Sequence, residues 1–368
     1  MDKSSIGKIA EKFEITGDVV ECIPHGNGNV NDTFLIFCES QEGTHRYTLQ
    51  RINHEVFKDP ESLMENFSRV TSHLLLKNME LNQGYESLIL IPTLDDKSFI
   101  RDELGNYWRM TEFIAGGRSF DVPENEIQAY EAAKAFGSFQ TLLDDLPGPP
   151  LVETIPDFHN TLKRLEHFES AVRDDSCGRV QEVEDLVEFV CDRKKLATSI
   201  PTEEMPSRVV HNDTKLNNVL LHKETSKGMC VVDLDTVMPG CVLYDFGDLV
   251  RTAACSSDED EINLEKVCFL PDTYESILKG YLETAGNMLE EKELDLLPVA
   301  PLVITYELGI RFLGDYINGD KYFKIKRPSH NLERARTQFA LLRSMEDNFE
   351  NMTEINKRYT RDLSTVAS

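Results

Sequence analysis

Within residues 209–251 the chain carries His211-Asn212-Asp213, then Asn218 five residues after that aspartate, then Asp233-Leu234-Asp235. Between them lie the apolar run Val219-Leu220-Leu221, the polar stretch 222–228 and a second apolar run, 229–232. Two short apolar runs bounded by polar residues predict a two-stranded hairpin. Such a hairpin returns Asp233 beside Asn218, and in an extended chain Asp235 faces the same side as Asp233. Any fold for this sequence must bring a carboxylate, an amide and an acidic pair to one place, which constrains it more than any other stretch.

The five-residue interval from Asp213 to Asn218 is that of the kinase catalytic loop, in which the aspartate is the base for phosphoryl transfer. One amide oxygen and one carboxylate, Asn218 and Asp233, suit Mg²⁺, a hard cation that keeps several waters and takes only one or two carboxylates from protein. Asp235 is a candidate ligand for a second ion or a water. ATP is the expected co-substrate.

The segments HNDTKLNN and VVDLDTVMPG resemble those of the aminoglycoside phosphotransferase-like small-molecule kinases. Within that family the chain most resembles the N-acetylhexosamine 1-kinases, through HNDTKLNNVLL, DLDTVMPG, YDFGD and the C-terminal RFLGDYINGDKYFKI. The similarity spans nearly the whole chain. It implies an α+β, bilobal protein-kinase-like fold: a small β-rich N-lobe over residues 1–113 that binds nucleotide, and a larger, mostly helical C-lobe over 114–368. It implies transfer of the ATP γ-phosphate to the anomeric hydroxyl of an N-acetylhexosamine, with Arg311 and Tyr322 as sugar contacts. It also implies that Asp245 tethers the backbone of the catalytic loop, with His211 supporting it.

Composition sets outer limits. The 368 residues are 40% hydrophobic, enough for a sizeable core. The formal charge of −26 excludes a surface that tracks nucleic acid or anionic lipid and leaves a neutral or cationic small substrate. No protein partner is indicated. Eight cysteines without a Cys-x-x-Cys pair read as free thiols. The opening residues lack the apolar run of a signal peptide, and the longest apolar stretch, 296–304, holds two prolines and is too short to span a membrane. These features predict a cytoplasmic protein.

In the first lobe, β-type runs cover 33–38, 46–52, 87–91, 98–101 and 107–113. One helix follows Pro60, with Leu63, Phe67, Val70 and Leu74 at three- and four-residue steps. The loop holding Gly26, Asn27, Gly28 and Asn29 can bring backbone amides close to phosphate oxygens, although a Gly/Asn-rich hairpin turn reads the same way. The connection from Glu112 through Ile114 to Gly117 reads as the hinge whose backbone groups meet the adenine edge, although a simple loop between sheet and helices fits the residues equally well and only the kinase context favours the hinge. One departure stands out. The third strand, Tyr47-Thr48-Leu49-Gln50-Arg51-Ile52, lacks the lysine that kinases use on the α- and β-phosphates. Gln50 and Arg51 alternate across the strand, so one of them faces the nucleotide, and Arg51 is favoured for its charge.

In the second lobe, Ile127, Tyr130, Ala133, Phe136, Phe139 and Leu143 mark a core-facing helix, and Val183, Leu186, Val187 and Val190 another. Glu307 and Arg311, four residues apart in an apolar stretch, share a face as an ion pair or as polar groups aimed at a sugar. Leu332, Ala335, Phe339 and Leu342 read as packing. A kinase for choline, ethanolamine, homoserine or an aminoglycoside would use the same motifs, and the missing lysine leaves open a nucleotide-binding protein without activity. A protein kinase is disfavoured: no Asp-Phe-Gly follows the second hairpin strand and no Ala-Pro-Glu lies downstream.

Overall fold

Alternating apolar side chains build the N-terminal sheet. After a short helix, α1 (Lys3–Ala10), come β1 (Asp18–Pro24), β2 (Asp32–Ser40), β3 (Gly43–Ile52), α2 (Pro60–Leu81), β4 (Leu90–Ile91), β5 (Ile100–Arg101) and β6 (Tyr107–Glu112). The strands pair antiparallel in the order β1-β2-β3-β6-β4, with β5 also on β6. On one face Leu49, Trp108 and Met110 join Ile36, Ile6 and Phe13 in a buried cluster. Each such side chain contributes about 1.5–3 kcal/mol by leaving water. On the other face Phe67 of α2 lies under Arg109, whose guanidinium carbon is 4.2 Å from the ring centre. Helix α2 begins where Pro60 fixes φ, and the Asp59 carboxylate accepts the Ser62 amide at 3.1 Å as its cap.

The computed structural model describes residues 3–26, 30–81 and 84–361 and divides into two units. The sheet unit comprises Met1–Gly117, Asp145–Ile155 and Val232–Met238; the helical unit holds the remainder. Two of the sheet unit's segments are therefore contributed from far along the chain. Buried Asn66 of α2 binds both: its amide donates to the Val152 carbonyl at 2.7 Å and the Val237 carbonyl at 3.3 Å, and its oxygen accepts the Val152 amide at 3.0 Å.

In the helical unit, α3 (Glu126–Leu143), α4 (Thr161–Asp174), α5 (Glu184–Asp192), α6 (Val242–Ala253), α7 (Pro271–Ala285), α8 (Glu291–Leu296), α9 (Ala300–Ile317), α10 (His330–Asp347) and α11 (Phe349–Thr360) surround a hairpin of Val219–His222 and Gly228–Val231. Helices α3 and α7 meet so closely at Gly280 that a Cβ there would lie 2.1 Å from the Tyr130 carbonyl oxygen. Helix α9 is buried almost all round, which explains why its sequence is apolar on every face.

The α+β kinase-like architecture matches the sequence expectation, and so do the α2 positions Leu63, Phe67, Val70 and Leu74, all buried. Several details differ. Helix α1 and strand β1 were not anticipated; α1 is a single short segment with too few apolar positions to show a period. The expected strand over 87–91 shrinks to Leu90–Ile91. In α3, Ile127 is 62% exposed rather than in the core, because the buried face runs through Gln128, Ala129, Ala132 and Phe136. The Asp233–Asp235 stretch is not extended: Asp233 takes φ 61°, and Leu234–Thr236 forms a tight helical turn. Among the described residues no helix is long and apolar enough to cross a membrane.

Candidate active site

Asp213 and Asn218 belong to the helical unit, Asp233 and Asp235 to the sheet unit. In the helical unit the loop that carries Asp213 is held through its backbone. Asp245, at the start of α6 and 1% exposed, accepts the His211 amide on one oxygen and the Asn212 amide on the other, both at 2.7 Å. Its carboxylate also accepts the Gln140 side-chain amide at 2.7 Å, and its own carbonyl accepts the Thr214 hydroxyl. Burial pushes the Asp245 carboxyl above its ordinary range even against these donors. Buried His211 accepts the Asp213 amide on Nδ1 at 3.2 Å, and its ring meets Phe136 and Phe139 edge-on. The loop turns at Asn212, whose φ of 65° lies in the left-handed region that asparagine tolerates.

Asp213 is partly exposed and carries two charged or polar partners. The Asn218 amide nitrogen donates to the Asp213 carbonyl at 2.8 Å and carboxylate at 3.0 Å, and Lys215 Nζ lies 2.8 Å from the other carboxylate oxygen. Burial alone would raise the Asp213 carboxyl, but Lys215 outweighs it and holds the group below the usual carboxylate range. The base form is thereby present at neutral pH. With its nitrogen on Asp213, Asn218 has its amide oxygen as the remaining polar atom of the side chain.

Arg311 and Glu307 of α9 face each other at 3.7 Å. The Arg311 guanidinium lies 5.6 Å from the ring centres of both Phe158 and Phe323. Tyr322 is 63% exposed; its amide donates to Asp315 at 2.8 Å, and its ring meets Phe323 edge-on. Glu307 is fully buried and accepts the Thr161 hydroxyl at 2.7 Å and His159 Nδ1 at 2.9 Å. His159 in turn reaches the Asn212 carbonyl with Nε2 at 3.0 Å.

In the sheet unit Gly26 has φ 76° with open space around its Cβ position, while Asn27, Gly28 and Asn29 lie outside the described residues. Glu112, at the end of β6, donates its amide to the Ile89 carbonyl at 2.9 Å; Ile114 follows half-buried. The register of β3 on β6 puts Gln50 opposite Arg109. Gln50 Oε1 accepts from Arg109 Nε at 2.9 Å and Nη2 at 2.8 Å, and Arg109 Nη1 binds an Asp235 oxygen. The other Asp235 oxygen accepts the Asn31 amide. Arg109 and Asp235 are 1% and 3% exposed, so this is a buried ion pair. Arg51 points to the opposite face, where it pairs with exposed Asp32. Asp233 is exposed.

Asn218 in the helical unit and Asp233 in the sheet unit each carry an oxygen donor of the hard kind that Mg²⁺ takes. The Asp235 carboxylate already has Arg109 and Asn31 on its two oxygens.

Three side chains on these groups went unnoticed in the sequence: Lys215, His159 and Arg109. Lys215 stands within the same motif string, two residues after Asp213, and its spacing was the available signal. His159 and Arg109 lie 53 and 126 residues from their backbone and acidic partners near the motifs, and no local pattern marks them.

Solved structures of other proteins share this fold. The solved structure of an aminoglycoside phosphotransferase from Alicyclobacillus acidocaldarius superposes with a TM-score of 0.59 at 13% identity, covering 94% of this chain and 96% of that one. A microcompartment-associated aminopropanol kinase gives 0.57 at 14% identity over 95% and 98%. A choline kinase from Cryptosporidium parvum gives 0.53 at 15% identity over 98% and 100%. At such identities the likeness shows the fold. The sequence model of the phosphotransferase enzyme family matches residues 24–275, a span that includes the sheet, the Asp213 loop, the Asp-x-Asp and the Asp245 tether, and the chain belongs to that family.

Proposed function

We propose that this phosphotransferase is an ATP-dependent small-molecule kinase that phosphorylates the anomeric hydroxyl of an N-acetylhexosamine such as N-acetylglucosamine or N-acetylgalactosamine. The observation that carries the choice of acceptor is the charge beside the catalytic loop. Arg311 and His159 both pair with one carboxylate, Glu307, and Arg164 lies near enough to feel the charge of both Arg311 and Glu307. Arg164 donates to the Phe158 carbonyl at 2.9 Å, and burial together with the nearby Arg311 lowers its pKa, as expected of two guanidiniums in close approach. Such surroundings oppose a cationic acceptor and suit a neutral sugar with many hydroxyl and amide oxygens. The amino-alcohol kinases among the structural neighbours motivate the rival reading, in which choline or ethanolamine is the acceptor.

In the proposed chemistry Asp213 orients the acceptor hydroxyl and takes its proton as the oxygen attacks the γ-phosphorus and the bond to ADP breaks. The anomeric hydroxyl is more acidic than an ordinary alcohol, which eases the task of a carboxylate base. Asn218 and Asp233 are the residues that would hold Mg²⁺, which when bound neutralises charge on the phosphates. Asp245 and His211 keep the loop in shape. Arg311 and Tyr322 are assigned to the sugar, Gly26 to Asn29 to the phosphates and Glu112 to Ile114 to the adenine. Gln50 shares a sheet face with Arg109, so the cation that stands where kinases use lysine is assigned to Arg109 acting through Gln50 and Asp235, rather than to Arg51.

The test is ADP release from ATP and Mg²⁺ with N-acetylglucosamine, N-acetylgalactosamine, glucose, galactose and choline supplied separately, with ³¹P NMR locating the new phosphate. Turnover on the N-acetylhexosamines with an anomeric phosphate is expected. Turnover on choline alone discards the sugar. Asp213→Asn should reduce turnover by roughly 10²–10⁴-fold while retaining nucleotide binding by calorimetry; unchanged turnover removes Asp213 from the mechanism.

A further inference from the structure

The peptide that joins Asn212 to Asp213 is fixed at both of its polar atoms. Its N–H donates to His211 Nδ1, and its carbonyl oxygen accepts from His159 Nε2 at 3.0 Å. This is the peptide whose plane sets where the Asp213 side chain leaves the backbone. The second ring nitrogen of His159, Nδ1, lies 2.9 Å from Glu307 Oε1. Both partners of the ring are acceptors only, a backbone carbonyl and a carboxylate. A neutral imidazole has one N–H and would turn a lone pair toward one of them.

We propose that His159 is a positioning residue of the phosphoryl-transfer site, held as an imidazolium between Glu307 and the Asn212 carbonyl, so that a proton on its ring locks the peptide preceding the catalytic carboxylate. The inference rests on the reading of Asp213 as the base.

The surroundings are built for a charged ring. Tyr244 of α6 stacks on it, with ring centres 5.1 Å apart and planes 9° from parallel, and Phe158 meets it edge-on at 4.6 Å. An imidazolium stacked on the face of the Tyr244 ring gains electrostatic attraction. The Tyr244 hydroxyl is tied up with Thr161 at 3.1 Å, and Thr161 also donates to Glu307. The charged groups facing the ring are Glu307 and Arg311 from α9. Burial by itself would favour the neutral ring and Arg311 repels its charge, but Glu307 and the Asn212 carbonyl outweigh both and raise its pKa. Glu307 is ionised in this arrangement, since His159, Arg311 and Thr161 lower its pKa against the effect of burial.

The direction of the pH effect follows. A raised pKa keeps the clamp complete at low and neutral pH; as pH rises through that value one ring nitrogen loses its proton and faces an acceptor with a lone pair. Turnover should therefore fall on the alkaline side while the nucleotide KM stays level.

The experiment uses the full chain labelled with ¹⁵N-histidine, followed by ring-nitrogen NMR from pH 6 to about pH 9 alongside the pH profile of kcat. The expected spectrum shows one ring that keeps both nitrogens protonated at neutral pH, absent from His159→Gln or, if that variant does not fold, from His159→Asn. The alkaline limb of kcat should coincide with its titration and disappear in His159→Gln, whose kcat should drop by roughly 10-fold or more, as expected for a misplaced base. A His159 ring that is neutral at pH 7, or an alkaline limb that survives in the variant, overturns the proposal. If no acceptor is turned over the proposed function fails, and the spectrum still decides the protonation of the clamp.

Discussion

Replacing Arg109 by methionine removes a guanidinium that is 1% exposed and leaves the Asp235 carboxylate, 3% exposed, with the Asn31 amide but no cation. Methionine keeps the contact with Phe67, so the change isolates charge and hydrogen bonding from volume. Breaking a buried pair by removing one partner costs about 3–5 kcal/mol, most of it the stranded charge. The two hydrogen bonds to Gln50 go as well, but that amide oxygen is neutral and adds little beyond this range. For the roughly 135 residues of the sheet unit, at about 3–4 °C per kcal/mol, the midpoint should fall by about 10–18 °C. The chain supplies its own probe. Its one tryptophan, Trp108, is the preceding residue on β6, fully buried, with its indole N–H on Asp102 at 2.9 Å. Urea unfolding followed by tryptophan emission therefore reports on the sheet, while far-UV circular dichroism is dominated by the helices. Adding Asp235→Asn to Arg109→Met should recover part of the loss, because a neutral amide is cheaper to bury than an unpaired carboxylate. A loss below about 1 kcal/mol, the scale of an exposed pair, would refute the reasoning.

Lys215→Met should raise the Asp213 pKa, since Lys215 is the largest of the groups that hold it down against burial. Activity is lost as pH falls through the Asp213 value, so the acid limb of kcat/KM should move to higher pH in the variant; an unmoved limb shows that Lys215 does not tune the base. Gly280→Ala places a Cβ 2.1 Å from the Tyr130 carbonyl oxygen and should destabilise the helical unit by about 1–3 kcal/mol in urea melts, with α3 and α7 pushed apart. An alanine tolerated at no cost shows that the two helices can separate freely there.

Sequence spacing disclosed what is local. The Asp213 to Asn218 interval, the hairpin after it and the period of α2 each lie within one element or one turn, and each has its structural counterpart. Pairings across long separations were out of reach. Arg51 seemed the natural cation because charge is visible in a sequence, whereas facing direction depends on register: Gln50 stands opposite Arg109, and Arg51 opposite Trp108 on the other face of the sheet, where it pairs with Asp32. The choice between an ion pair and sugar-directed groups for Glu307 and Arg311 needed His159 and Thr161, which arrive from another segment altogether. Local strain also hid from view. Asp233 adopts a left-handed conformation, and so the period-two rule that put Asp235 on its side of an extended chain did not apply.

The split of the sheet unit along the chain has a consequence during translation. When Gly117 has left the ribosome every strand of the large sheet has been made, but the partner of Arg109 and one carbonyl partner of Asn66 lie in Val232–Met238. At about 5–20 residues per second, that segment emerges roughly 6–24 s later. Through that interval Arg109 has Gln50 but no carboxylate, and Asn66 lacks the Val237 carbonyl, so residues 1–117 expressed alone would lack two of the buried polar partners of the finished sheet unit.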